Sequence, residues 1–469
     1  MHAHPTLCSL IPMVIVPCTV AHAGPQETAS QPAPDGPETA ARWTIHFDIS
    51  PIDRLVIRAE EVLEDPDAFW QTDPAYHLVR SWHEWNNIPI PMRTWRTRVE
   101  AYANMSRSER NRSPAVRMAR KLRKQKNTLL QKAVPHICSF LPDLPTGMTT
   151  TIYFTAETYP RAIGVGDNVV LDVTNDYWQG SDSTLLNTAV HELFHAAYGW
   201  HLCAQTETPL ANAAVYAQLS TLHNEGLATF VAYKAQHLFP APAEQDYTLL
   251  DDPARVRRAH KLVNRLLREA ETLSPDKLCK DAWRIGVEQR AFYVLGAHMA
   301  RTIDENVGRD AVADTIARGP RSFVSAYNNV VDEEQRVVEF QAPDQPSWPH
   351  RLRLAAAQRD YDTLRQLLAT AALPEAGDMF AAEEPFICAG RLLLRHERYD
   401  LAVEVLECTT RLFPELAAGH YFLGEACRHA ADADRAVASY RRTLELDPGH
   451  LYAPARLKAL EKAASAEPE

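Results

Sequence analysis

Within His191-Glu192-Leu193-Phe194-His195, two imidazoles four residues apart flank a carboxylate. On a helix of 3.6 residues per turn, positions i and i+4 lie about 40° apart, so both rings can face one metal ion. Glu192 then borders the same cleft, where its carboxylate can take a proton from a water that the ion has acidified. The chemistry this spacing suits is hydrolysis. One zinc ion is the expected cofactor, held by three protein ligands that leave a fourth position open for water.

Two residues compete to be the third ligand. His201 lies six residues past His195, where the third histidine of a metzincin would stand, although Tyr198 occupies the slot of that pattern's glycine and Gly199 comes one place late. Glu225 lies thirty residues past His195 in His223-Asn224-Glu225-Gly226-Leu227-Ala228-Thr229-Phe230. Together with the first motif, this stretch resembles the Asn-Glu helix of the thermolysin-like gluzincins, and the likeness covers roughly residues 150 to 235. The resemblance implies a zinc peptidase with His191, His195 and Glu225 as ligands and Glu192 as general base. It departs from the pattern at Thr229, where the gluzincins carry an acidic residue that supports a ligand imidazole. Gly226 is expected to let its helix pack close to the first. An oxyanion donor is also needed. Tyr293, in Phe292-Tyr293-Val294-Leu295-Gly296-Ala297-His298, is the candidate, with His223 and His298 as alternatives.

These side chains need elements to hold them. Asp182 or Ser183 can cap a helix with the buried stripe Leu185, Leu186, Val190, Leu193, Phe194 and Ala197, ended by Gly199. Thr208-Pro209 reads as the start of a second helix running to Glu225. Upstream, Thr149–Thr155 and Val169–Thr174 read as two short strands around Gly164 and Gly166. Those glycines lack the spacing of a nucleotide loop. In zinc peptidases such a strand pairs with the extended backbone of the substrate. Earlier still, Trp43–Ile49 reads as a strand, and Asp53–Leu63 and Trp82–Tyr102 as helices of an N-terminal lobe that shows no chemistry of its own.

Three prolines between Gln341 and His350 mark a boundary, after which the pattern changes. Phe386, Gly390, Ala402, Leu406 and Pro414 recur 34 residues later as His420, Gly424, Ala436, Tyr440 and Pro448. This resembles the tetratricopeptide repeat, with a degenerate pair in Arg351–Ala371 and a closing helix in Ala453–Ala463 completing the stack. The expected class is therefore α+β. A mostly helical zincin-like domain with a small β-sheet at 42–340 (lobes 42–145 and 146–340) is followed by a linker at 341–350. An α-helical tetratricopeptide-type solenoid then occupies 351–465.

The whole chain sets the remaining bounds. Its 469 residues, 46% hydrophobic and 23% charged, suffice for two or three packed domains. The net charge of -11 is polarised, because Met105–Lys132 holds ten Lys or Arg against Glu109 alone. Leucines among those charges read as a solvated amphipathic helix, so no nucleic-acid partner is expected. The apolar run Leu7–Val20 and Ala21-His22-Ala23 read as a secretory signal at 1–23, with a Pro/Ala-rich linker at 24–41, giving a secreted or periplasmic protein. No later segment is long and apolar enough to span a membrane. The six later cysteines, an even count compatible with an oxidising compartment, allow 15 pairings or read as small buried side chains, and their pairing is left open. The function these readings support is hydrolysis of polypeptides, with the repeats docking the substrate or a protein partner. The alternatives are an interaction or chaperone-like protein with a vestigial or structural metal site, and a zinc hydrolase of non-peptide substrates.

Overall fold

A computed structural model describes residues 43–464 apart from 87, 144–147, 179–180, 240–244 and 371–382. The signal and linker expected at 1–41 lie outside the described residues. The protein is α+β, mostly helical, with one four-stranded sheet. The chain divides into two compact units. Among the described residues, the first comprises 43–70, 78–200 and 212–341, and the second comprises 71–77, 201–211 and those from 342 to 464.

In the first unit, β1 (Trp43–Asp48), β2 (Met148–Thr155), β3 (Ala162–Val165) and β4 (Asn168–Asp172) form a sheet of order β1-β2-β4-β3. β1 and β4 run parallel to β2, and β3 returns antiparallel to β4 at the sheet edge. Every residue of β4 is buried, as its Asn-Val-Val-Leu-Asp run requires of a strand covered on both faces. β3 was not among the expected strands. Its four residues are too few for alternation to stand out, and the turn to β4 depends on Gly166 at φ 59°, which glycine adopts without strain.

The longer helices lying wholly or mostly in this unit are α1 (Pro74–Trp85), α2 (Met92–Ala103), α3 (Pro114–Lys124), α4 (Lys126–Cys138), α5 (Asp182–Leu202), α6 (Ala213–Lys234), α7 (Pro253–Glu269), α8 (Ala291–Asn306), α9 (Arg309–Arg318) and α10 (Pro320–Asn328). The basic stretch Met105–Lys132, read as one helix, is divided among Arg107–Asn111, α3 and the start of α4; in α3 Ser113 is the cap, Ala115, Val116, Ala119 and Leu122 are buried, and the Lys and Arg side chains line the exposed face.

Several helix boundaries differ from the sequence reading: the helix expected at Asp53–Leu63 is a π-helix, Asp53–Ile57, followed by a helix over Ala59–Glu64, and three differences lie beside the site. The α5 cap is Ser181, whose hydroxyl accepts the Thr184 N–H at 3.2 Å. α5 also runs through Gly199 to Leu202; an interior glycine costs only about 1 kcal/mol, which burial of Tyr198, Gly199 and Trp200 offsets. α6 starts at Ala213 rather than Thr208-Pro209, because Asn212 accepts the Val215 N–H and so supplies the cap.

The second unit holds α11 (Trp348–Gln358), α12 (Tyr361–Ala369), α13 (Glu383–Arg395), α14 (Tyr399–Leu412), α15 (Ala417–His429), α16 (Ala433–Leu446) and α17 (Ala453–Ala464). Its core includes Leu352, Phe386, Leu401, Tyr421 and Tyr440. Helix α11 begins inside the stretch read as linker. Residues 201–211 are fastened within this unit by a Cys203–Cys388 disulfide. The buried Arg353 guanidinium adds hydrogen bonds to the carbonyls of Cys203, Gln205 and Glu207. Of the cysteines whose pairing the sequence leaves open, these two are bonded, whereas Cys138, Cys279, Cys408 and Cys427 are not in disulfides. Among the described residues no helix is long and apolar enough to cross a membrane.

Candidate metal centre

Helix α5 carries His191, Glu192 and His195 in its middle, where the backbone is fixed by hydrogen bonds on both sides. The Nε2 atoms of His191 and His195 lie 3.0 Å apart, and Glu225 Oε2, from α6, lies 3.5 and 3.6 Å from them. Ligand atoms of a tetrahedral zinc, each about 2.0–2.1 Å from the ion, sit roughly 3.3 Å from one another, so the spacing fits. His201 is not part of this group. Because α5 continues as a helix past Gly199, His201 is carried about 120° around the axis from His195, and the chain never makes the turn a metzincin arrangement needs.

Glu225 is only 1% exposed, and neither of its carboxylate oxygens has a hydrogen-bond donor. A buried carboxylate left in that state is costly unless a cation compensates it. Burial alone would depress the His195 imidazole. The Coulombic pull of Glu225, with that of Glu192 adding to it, instead raises it to about 9. Burial opposes ionisation of Glu225 in turn, but the two imidazoles hold its carboxyl well below the usual range. The field that favours a proton here favours a dication equally. Asn224, also buried, stands near enough to His195 to strengthen that field.

The helices meet at two glycines. A Cβ on Gly226 of α6 would fall 2.3 Å from the Gly296 Cα of α8, so these backbones touch and nothing larger fits. The close approach predicted at Gly226 is thus made to α8, not to the HExxH helix. It sets Tyr293 beside the donors, its ring parallel to that of His191 at a centroid distance of 6.3 Å. Arg290 lies over the Tyr293 ring at 3.2 Å and forms a bidentate pair with Asp246. Burial, and the negative charge of Glu225, push the Tyr293 phenol up, so it stays protonated and can donate. On the sheet side, Gly164 of β3 rests on α5, where a Cβ would meet His195 Cβ at 2.9 Å and the Glu192 carbonyl oxygen at 3.1 Å.

These groups open into one cleft of about 320 Å³ in the first unit, lined also by Trp82, Thr229 and Trp283. His223 and His298 do not line it. His223 is buried between the Tyr198 hydroxyl (3.0 Å) and Thr315 Oγ1 (3.1 Å), and burial lowers it to about 3. His298 packs beside Tyr327 and is lowered to about 4, again by burial. Sequence reasoning missed the Asp246–Arg290 pair, whose partners are 44 residues apart with no local signature. It also missed Trp82, which brings the N-terminal lobe into the cleft.

Two histidines and a glutamate converging beside a second carboxylate form the donor set of the zinc hydrolases. The family model described as "Putative zinc dependent peptidase (DUF5700)" matches residues 56–336, more than half of the chain, and the chain belongs to this family. No curated protein and no solved structure matches it.

Proposed function

We propose that the protein is a zinc metallopeptidase in which His191, His195 and Glu225 hold one zinc ion. The observation that carries this reading is the buried Glu225 carboxylate, without a donor of its own, facing two imidazole nitrogens at 3.5 and 3.6 Å. When bound, zinc supplies Lewis acidity and lowers the pKa of a water in the cleft. Glu192 accepts the proton of the attacking water and returns it to the leaving amine. Tyr293, whose ring contacts both His191 and Arg290, donates its phenolic hydrogen bond to the oxygen on which charge develops. β3, at the edge of the sheet and lying along α5, offers backbone groups to an extended peptide.

The second unit supports a tetratricopeptide-like reading and a docking role for substrate or partner. Helices α15 and α16 each begin 34 residues after α13 and α14. Gly390 faces Leu406 and Gly424 faces Tyr440, equivalent positions of successive units. A Cys203–Cys388 disulfide is in keeping with an oxidising, secreted or periplasmic setting. An interaction protein with a vestigial site has no need for the intact Glu192.

Removing metal with a chelator is expected to abolish cleavage of an unfolded protein such as casein, and added zinc to restore it. Activity that persists without metal would contradict the proposal. Tyr293→Phe should lower kcat by about 10²–10³-fold with little change in KM, the signature of a hydrogen bond made only in the transition state. An unchanged kcat would remove Tyr293 from the reaction.

A further inference from the structure

Resting on the peptidase reading, we propose that the cleft wall formed by Trp82, Tyr159 and Trp283 is a specificity subsite for a large apolar side chain, aromatic above all, next to the scissile bond. Trp82 of α1 has its ring centroid 6.4 Å from both Tyr159 and Trp283, so three aromatic groups from separate parts of the chain meet on one side of the cleft. Val287 and Ile163 continue the wall. Trp283 and Val287 stand about one turn apart on the π-helix Trp283–Glu288, a wide-turned helix of the kind found at functional sites.

The wall is set in place before any substrate arrives. His83, buried on α1, has Nε2 2.5 Å from the Tyr159 carbonyl oxygen and Nδ1 3.0 Å from that of Ile88. This fixes the turn that leads into β3. Tyr159 nevertheless keeps 54% of its surface exposed, an unusual state for a large ring in a fold that buries most of its aromatics. Apolar area held open beside a reaction centre gains free energy only when something apolar covers it.

Charge selection is a weaker explanation for the same cleft. Both arginines that line it are engaged: Arg290 with Asp246 in a bidentate pair, and Arg161 over the Tyr177 ring at 3.6 Å. Asp246 is occupied by the same pair, and Glu192 and Glu225 belong to the metal centre. Among the described residues of this lining, an acidic side chain would therefore find both arginines already in contact with other side chains. A peptide extended along β3 projects alternate side chains to one face, which allows one of them to reach the aromatic wall while the next carbonyl lies at the zinc donors.

The test uses the zinc-loaded full chain and a peptide library varied on both sides of the cleaved bond. Cleavage sites should be enriched in Phe, Tyr, Trp or Leu on one side. For a matched pair of peptides, the ratio of kcat/KM for Phe over Ala should fall at least about 10-fold in Trp283→Ala and in Val287→Glu, and should be largely kept in Trp283→Phe. Affinity of the same peptides for the Glu192→Gln protein, measured by calorimetry, should show the same loss of discrimination. Cleavage without apolar preference, or a Phe/Ala ratio unmoved in variants that still bind zinc, would overturn the subsite while leaving the peptidase reading intact. No cleavage of any peptide would overturn both.

Discussion

Glu192→Gln is expected to cut peptide hydrolysis by about 10²–10⁴-fold while the protein still takes up zinc at wild-type stoichiometry. The amide keeps the size and much of the hydrogen bonding of the carboxylate but cannot accept the water proton. Glu192 is 7% exposed and lines the cleft, and its Oε2 would lie 3.4 Å from a Cβ built on Gly164. That absent side chain leaves the carboxylate room beside β3. The imidazoles on either side of Glu192 in sequence remain, so zinc binding and turnover separate in this variant. Metal analysis together with a steady-state assay checks the result; full activity in Glu192→Gln would exclude it as the general base.

The second large effect concerns the third ligand. Glu225→Ala should weaken zinc binding by more than the roughly 10–100-fold that changes outside the ligand set produce, because it removes one of three converging donors. It also removes the charge that raises His195 to about 9, so the imidazole reverts toward the neutral, burial-dominated state. The pH dependence of zinc uptake should therefore change along with its strength. In the wild type, protons compete with zinc for His195, so binding weakens as the pH falls and each zinc bound near neutral pH releases a proton. In Glu225→Ala that proton release should shrink. His201→Ala should leave zinc affinity within experimental error, since His201 stands outside the converging donors. Competitive titration against a chromogenic chelator in buffers of different pH measures both. Loss of zinc from His201→Ala alone would transfer the third ligand to that residue.

The parts of the site that could be read from the sequence are those with local spacing. His191, Glu192 and His195 share one helix, and the Asn224-Glu225-Gly226 stretch carries its own signature, so the three proposed ligands and the proposed base are legible as short strings. Tyr293 was reachable from its chemistry and the nearby Gly296, though that glycine serves α6 and not the HExxH helix. The rest depends on distant pairing. β1 pairs with β2 in parallel, Trp43 opposite Met148, and no periodicity in either strand names its partner. Trp82 has the helical spacing of an ordinary core residue, and only the packing of α1 near the Tyr159 turn turns it toward the cleft. The cap that begins α6 was misassigned because Thr208-Pro209 and Asn212 both carry start signals, and the selection between them is made by tertiary contacts. Arg353 binds the carbonyls of Cys203, Gln205 and Glu207, just ahead of Thr208-Pro209.

The most direct test of the central claim is mass-spectrometric identification of products after the zinc-loaded wild-type chain and its Glu192→Gln variant are incubated in parallel with a broad peptide library. New peptide termini are expected with the wild type, absent with the variant and with chelator. One equivalent of zinc bound by a folded protein that generates no new termini from any peptide would contradict the account.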